Sequence, residues 1–210
     1  MSAKIVFATH NAGKLREFRE ILRGQIEGLD VDTQVVDASS VSAPDVVEDG
    51  VTFAENSLKK AREIAAATGL IAIADDSGLA VDVLGGAPGI FSARWAGTHG
   101  DDAANLALLL AQLSDIADEH RGARFVCAAS LATPGGFEAV EHGELAGTLL
   151  REPRGQGGFG YDPILAPLEF TGEYAGLSCA QVSAEVKNSI SHRAKALTAL
   201  VPHIRAALAQ

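Results

Sequence analysis

Apolar runs alternate with helical repeats along the first part of the chain. Residues 4–8 are a short apolar run that predicts a buried strand, and residues 31–36 predict a second strand. Between them, residues 15–22 carry apolar side chains at helical spacing. Residues 52–69 predict a second helix, because they begin with a capping box and end on a glycine. The apolar run at 71–74 predicts a third strand. Strands that alternate with helices are typical of parallel sheets.

The second half of the chain predicts an antiparallel ribbon between two further helices. Residues 101–113 predict a helix with a leucine face, and residues 196–208 carry the apolar face of a C-terminal helix. Residues 124–132 and 137–150 have the form of two strands joined by a tight turn. We therefore predict an α/β fold with a mixed central β-sheet flanked by helices.

Composition and charge narrow the classes of function. The 210 residues suffice for a single domain, 1–210, of one or two lobes, and the formal charge of -10 argues against binding to a nucleic-acid polymer. No apolar run is long enough for a signal sequence or a membrane span, so we expect a cytoplasmic protein that binds no membrane. Cys127 and Cys179 lack partners at metal spacing, and two separate thiols are favoured over a disulfide between them.

Two adjacent carboxylates, Asp75 and Asp76, follow the predicted strand at 71–74 and precede Ser77 and Gly78. One interpretation is that the strand stops there in an Asx turn, which satisfies its own backbone. However, neighbouring carboxylates repel each other unless water, a proton or a cation lies close by, and oxygen ligands suit Mg²⁺. The pair is therefore a candidate magnesium site.

The polar loop between the first strand and the first helix is a candidate phosphate site. Asn11 is a plausible helix cap, and such a junction directs backbone N–H groups at an anion. Lys14 in the first turn would add a positive charge, although a solvated helix position suits it equally. Glu48 precedes the second helix, where it could serve only the helix dipole, and Asn56 and Lys60 share one face of that helix.

Residues 155–160, GQGGFG, match the spacing of a dinucleotide fingerprint, but Pro163 follows too closely for the helix that this fingerprint opens. We interpret the segment as a mobile glycine loop that presents Phe159, Tyr161 and Asp162. Aromatic side chains in such a loop can stack on a planar ligand or fill a core.

Three potential cations, Lys187, His192 and Arg193, precede the C-terminal helix, which Ser189 or Ser191 would cap. Cations oppose the helix dipole at such a position, so their presence favours a functional role. Together with the acids and the glycine loop, these cations suit a metal-bound polyphosphate attached to a flat base.

Six sequence blocks carry a resemblance to a known family. They are THNAGK at 9–14, FAENSLKKA at 53–61, ADDSGL at 74–79, GGAPGIFSAR at 85–94, GFGYDPI at 158–164 and SHR at 191–193. In this order the blocks resemble the noncanonical purine nucleoside triphosphate pyrophosphatases, also called dITP/XTP or inosine triphosphate pyrophosphatases. The first motif of that family usually reads T-G-N, so His10 replaces a glycine here.

The resemblance implies hydrolysis of ITP, dITP or XTP to the nucleoside monophosphate and pyrophosphate, with Mg²⁺ as cofactor, which cleanses the nucleotide pool. It also implies a homodimer, with an elongated sheet in two lobes and the active-site cleft between them. Carried over by motif, Asp76 is the general base, and Glu48 and Asp76 hold the metal. The expected substrate-binding residues are Thr9, His10, Asn11, Ala12, Gly13, Lys14, Lys60, Ser77, Phe159, Gly160, Tyr161, Asp162, Lys187, His192 and Arg193.

Selectivity for hypoxanthine or xanthine over adenine requires a hydrogen-bond donor aimed at O6, which His192 or Arg193 could supply. The glycines of 155–160 predict that this loop closes over the base.

Two other functions stay open: a nucleotide sensor without turnover, and a phosphatase that releases orthophosphate. Asp75 is left to shape the turn or to orient its neighbour.

Overall fold

A mixed β-sheet forms the centre of the fold in the computed structural model, which describes residues 3–9 and 11–209. The strands are β1 (Ile5–Phe7), β2 (Val35–Asp37), β3 (Ile71–Val81), β4 (Gly122–Ala132), β5 (Glu138–Leu149) and β6 (Leu165–Pro167). Their order across the sheet is β2-β1-β3-β4-β5-β6. Strand β1 is parallel to β2 and β3, whereas β6 is antiparallel to β5, so the predicted mixed sheet is confirmed.

The helices are α1 (Ala12–Leu22), α2 (Val31–Gln34), α3 (Phe53–Thr68), α4 (Asp102–Gln112), α5 (Ala184–Ile190) and α6 (His192–Leu208). The predicted caps at Asn11, Thr52 and Gly69 are confirmed, but the side chain of Glu55 accepts a hydrogen bond from the Val51 N–H rather than from the Thr52 N–H of a capping box. Asn11 accepts hydrogen bonds from the first turn of α1, Thr52 accepts one from the N–H of Glu55, and Gly69 ends α3 with a φ of 69°. Among the described helices, none has both the length and the apolar character to cross a membrane.

Two compact units divide the chain. The first comprises the described residues of 1–76, 127–143 and 193–210, and the second comprises 77–126 and 144–192. Each unit has its own apolar core, built around Phe7 and Leu200 in the first and around Leu109 and Leu145 in the second. A single domain over 1–210 stays a prediction.

Residues 31–34 are helical, which corrects the predicted strand over 31–36. The side chain of Asp30 accepts hydrogen bonds from the Asp32 N–H and the Thr33 hydroxyl, and the side chain of Gln34 accepts one from the Asp30 N–H. These local bonds favour a helical turn over the strand preference of Val31, so β2 begins only at Val35.

Strand β3 does not stop at the two carboxylates. It runs on to Val81, so Asp75 and Asp76 lie in the middle of a strand and the Asx-turn interpretation is wrong. The physical reason is that polar side chains of other segments pair with both carboxylates. The carboxylate oxygens are therefore not used to close an Asx turn on the neighbouring backbone.

The C-terminal cations lie on two helices, α5 and α6, although a single helix was predicted. Ser183 caps α5, and Lys187 lies in the last turn of α5, where the helix dipole favours a cation. Ser189 lies inside α5, so its predicted role as a cap is wrong, while Ser191 lies directly before α6, which begins at His192.

Arg121 is a buried cation whose guanidinium is bound by backbone carbonyls. Its guanidinium donates to the carbonyls of Leu113, Leu149 and Leu150 over 2.6, 2.9 and 3.0 Å. Leu113 is the C-cap of α4, so the positive charge meets the negative end of that helix. Arg121 therefore joins the end of α4 to the end of β5.

We expect Arg121→Met to lower the free energy of unfolding by about 3 kcal/mol, because three carbonyls lose their donor at roughly 1 kcal/mol each. Arg124→Met is the control, since it removes an exposed pair with Asp82 and should cost under about 1 kcal/mol. Urea denaturation measures both values. Equal losses in the two variants would contradict the role of Arg121.

Candidate active site

Asp75 is a buried carboxylate on which cations from three helices converge. Its Oδ2 lies 3.1 Å from Lys14 Nζ and 3.0 Å from Arg193 Nε, and its side chain is 2% exposed. Its backbone carbonyl accepts a hydrogen bond of 2.5 Å from Lys60 Nζ. Helices α1, α3 and α6 thus each direct one cation at a single residue of β3.

The strand register explains how the loop before α1 reaches Asp75. Phe7 of β1 pairs with Ile73 of β3, and the two strands run in parallel. Parallel strands end at the same edge of a sheet, so the residues after Phe7 follow the same direction as the residues after Ile73. Asn11 then starts α1, which places Lys14 in its first turn.

The charges around Asp75 decide its protonation state. Burial alone would raise the pKa of the Asp75 carboxyl, but the positive charges of Lys14, Arg193 and Lys60 outweigh burial and hold this pKa well below its usual range. Burial likewise acts to lower the pKa of Arg193, and Asp75 more than offsets it, so that the net shift is upward. Asp75 is therefore ionised at neutral pH and acts as the counterion of the two side chains that contact it.

Asp76 has a different environment from Asp75. Its Oδ2 accepts a hydrogen bond of 3.0 Å from Asn56 Nδ2 on α3, and Asn56 Oδ1 in turn accepts one of 2.8 Å from the Gly50 N–H. One turn farther along α3, Lys60 Nζ donates to Glu48 Oε1 over 2.8 Å. A neutral amide and a lysine therefore connect Asp76 and the loop that carries Glu48 to the same helix face.

Glu48 and Asp76 provide oxygen donors of the kind that Mg²⁺ prefers. Within 3–9 and 11–209, no group of three or more acidic, histidine or cysteine side chains could hold a metal ion. Magnesium commonly binds through one or two carboxylates and completes its shell with water and substrate phosphates. Two carboxylates thus fit a metal that binds together with a polyphosphate, rather than a closed cage of protein ligands.

In the second unit, Asp162 anchors the tip of the glycine loop. It is almost completely buried, and its Oδ2 accepts hydrogen bonds from Lys187 Nζ and from the Phe159 N–H, the latter over 2.9 Å. Lys187 Nζ also lies 4.9 Å from the centre of the Phe159 ring. Phe159 is 62% exposed, so its ring offers an apolar surface on which a flat group can stack.

Tyr161 and Asp162 are buried, which corrects the expectation that the glycine loop presents them together with Phe159; His192 is buried as well. The Tyr161 hydroxyl donates to the Ser92 carbonyl over 2.9 Å, and burial raises the pKa of Tyr161. Its ring belongs to the apolar core of the second unit. The His192 ring stacks on Phe125 with 5.1 Å between the ring centres.

The two units divide the expected substrate-binding residues between them. His10 lies outside the described residues. The first unit contains Thr9, Asn11, Ala12, Gly13, Lys14, Lys60 and Arg193, and the second contains Ser77, Phe159, Gly160, Tyr161, Asp162, Lys187 and His192.

Three further side chains contact expected site residues but were not predicted from the sequence to be functional. Asn56 holds Asp76, and its signals in the sequence are its place one turn before Lys60 and its presence in the block at 53–61. Glu17 Oε2 lies 3.8 Å from Arg193 Nη1, and Asp102 accepts a hydrogen bond from the Gly160 N–H. The last two contacts join segments that are far apart in the chain, so no local pattern predicts them.

Comparisons with known proteins agree on one family. The model of the Ham1 family matches residues 5–203. A dITP/XTP pyrophosphatase of Streptomyces coelicolor is 61% identical over 202 residues, which cover 96% of this chain and 97% of the relative. Among solved structures, a HAM1 protein from Coxiella burnetii is 38% identical, with a TM-score of 0.82 over 96% of this chain and 98% of the other. A nucleoside-triphosphatase, or dITP/XTP pyrophosphatase, from Mycobacterium abscessus is 48% identical, with a TM-score of 0.76 and 96% and 100% coverage.

The depressed pKa of Asp75 predicts how stability depends on pH. A carboxylate whose pKa is lower in the folded chain stabilises the fold fully above its unfolded pKa of about 4, and this contribution is lost as the pH falls. Asp75→Asn should therefore lower the free energy of unfolding at pH 7 by about 3 kcal/mol. The same variant should also lose less stability than the wild type between about pH 5 and pH 3.

Urea denaturation at several pH values measures this difference. Asp115→Asn is the control, because Asp115 is exposed and the change in charge is the same. Parallel stability curves for the wild type and Asp75→Asn would contradict the prediction.

Proposed function

Because the chain belongs to the Ham1 family, we propose that it hydrolyses the noncanonical purine nucleoside triphosphates ITP, dITP and XTP to the monophosphate and pyrophosphate. The observation that carries this proposal is the convergence of Lys14, Lys60 and Arg193 on Asp75, one residue before the carboxylate of Asp76. A triphosphate requires several positive charges, and attack by water requires a base. The first unit contains both.

The start of α1 and two lysines bind the triphosphate in this proposal. The N-terminal end of a helix carries a partial positive charge, and α1 begins directly after Asn11. Lys14 and Lys60 then neutralise the negative charge that builds up on pyrophosphate as it leaves. Asp75 is a positioning residue, since it fixes the two cations Lys14 and Arg193 and does not contact the substrate.

Asp76 is the general base that takes a proton from the attacking water. Asn56 orients its carboxylate through the amide hydrogen bond described above. Glu48 and Asp76 would hold Mg²⁺, which would lower the pKa of the attacking water and neutralise phosphate charge. The water then attacks the α-phosphorus, and the bond to the bridging oxygen of pyrophosphate breaks.

Residues of the second unit bind the base. Phe159 stacks on the purine, and Asp162 and Lys187 hold the loop that carries this ring. His192 of the second unit or Arg193 of the first unit donates to O6 of hypoxanthine or xanthine. Adenine carries an amino group at that position, so the donor would lose its acceptor and face a second donor.

We propose further that the protein is a cytoplasmic homodimer, that it cleanses the nucleotide pool, and that it binds no nucleic-acid polymer and no membrane. The formal charge of -10 supports the exclusion of nucleic-acid polymers, since their backbone would be repelled.

Products and substrate preference test the reaction. With Mg²⁺ present, we expect the protein to release pyrophosphate from ITP, dITP and XTP at least about 100-fold faster than from ATP, because a mismatched buried donor discriminates strongly. Assays of pyrophosphate and orthophosphate in parallel separate the proposal from its alternatives. Release of orthophosphate would indicate a phosphatase, ITP binding without turnover would indicate a sensor, and equal rates on ATP would contradict the base selectivity.

The role of Asp76 has its own test. Asp76→Asn removes the base but keeps the size of the side chain, so kcat for ITP should fall by about 1000-fold while ITP binding is largely retained. Asp115→Asn should keep the wild-type kcat, since Asp115 is an exposed acid. A turnover number of Asp76→Asn within tenfold of the wild type would remove Asp76 from the mechanism.

A further inference from the structure

Two carboxylates hold the tip of the glycine loop by consecutive backbone N–H groups. The Phe159 N–H donates to Asp162 over 2.9 Å, and the Gly160 N–H donates to Asp102 Oδ2 over 2.8 Å. Asp162 is buried in the second unit, whereas Asp102 is exposed. The second anchor, Asp102, therefore comes from a segment outside the glycine loop, whereas Asp162 follows the loop closely in the chain.

Asp102 is supplied by the first turn of α4. The N-cap of this helix is Asp101, whose side chain accepts a hydrogen bond from the Ala104 N–H. The capping role is therefore already filled by Asp101, and the carboxylate of Asp102 reaches a backbone group 58 residues farther along the chain. A charged acceptor makes a stronger hydrogen bond to a backbone N–H than a neutral one.

The backbone at the loop tip needs such an anchor. Gly158 and Gly160 have φ values of 73° and 59°, a left-handed region that glycine enters and leaves with little steric cost. Phe159 lies between these two glycines, and its exposed ring contacts Lys187 through one face. Fixing the N–H of Phe159 and the N–H of Gly160 fixes the two peptide groups on either side of the Phe159 Cα, and hence the direction in which the Phe159 ring leaves the backbone.

We propose that Asp102 is a positioning residue that sets the Phe159 ring for stacking on the base. The inference rests on the proposed function, which makes Phe159 the stacking surface, and it adds a residue that none of the six sequence blocks contains. Asp102 contacts the loop and not the reacting groups. Its loss therefore weakens binding of the base and leaves the chemistry at the α-phosphorus unchanged.

Kinetics of Asp102→Ala test the proposal. Removal of one charge-assisted hydrogen bond should raise KM for ITP and for XTP by about 5- to 10-fold, with kcat within about twofold of the wild type. The inhibition constant of pyrophosphate, which has no base, should stay unchanged. Asp115→Ala, the same change at an exposed acid beyond the end of α4, should keep wild-type kinetics. Asp102→Asn keeps an acceptor of the same length and should fall between Asp102→Ala and the wild type.

Hydrogen exchange gives a readout that does not depend on activity. The segment 155–162 should exchange faster in Asp102→Ala than in the wild type or Asp115→Ala, with the remaining segments unchanged. Unchanged exchange in 155–162, an unchanged KM, or an equal rise in the pyrophosphate inhibition constant would each overturn the inference. If the wild type releases no pyrophosphate from ITP, the proposed function fails, and the exchange measurement still decides whether Asp102 holds the loop.

Discussion

The fold of the first unit depends on the neutralisation of one buried charge. Asp75 lies within a strand with almost no exposure, so its carboxylate is tolerable only because Lys14 and Arg193 contact it. These cations come from the first and the last helix of the chain. The same contacts that make the carboxylate tolerable thereby bring cations from two helices to one position, where the proposed function requires positive charge.

The two neighbouring aspartates illustrate how a strand separates two tasks. Successive side chains of a strand point to opposite faces, so Asp75 and Asp76 meet different partners although they are adjacent in the chain. Asp75 is neutralised by cations, whereas Asp76 receives a hydrogen bond from the uncharged amide of Asn56. The apparent repulsion between the two carboxylates is thus resolved by their directions, and the pair as such does not need a shared metal.

Local features could be predicted from the sequence, and distant contacts could not. The caps at Asn11 and Thr52 depend on residues two to three positions away, and both predictions are confirmed. The bond between Arg193 and Asp75 spans 118 residues, and only the complete fold reveals it. The prediction for residues 31–34 was wrong for another reason. The hydrogen bonds of the Asp30 side chain stabilise a helical turn and outweigh the strand preference of Val31.

The amide of Asn56 also couples two segments that are separate in the chain. Through Oδ1 it holds the N–H of Gly50, close to Glu48, and through Nδ2 it holds Asp76. A Cβ atom at position 50 would lie 2.7 Å from Asn56 Oδ1, so glycine is required for this close approach. One neutral side chain therefore links two acidic segments and itself adds no charge between them.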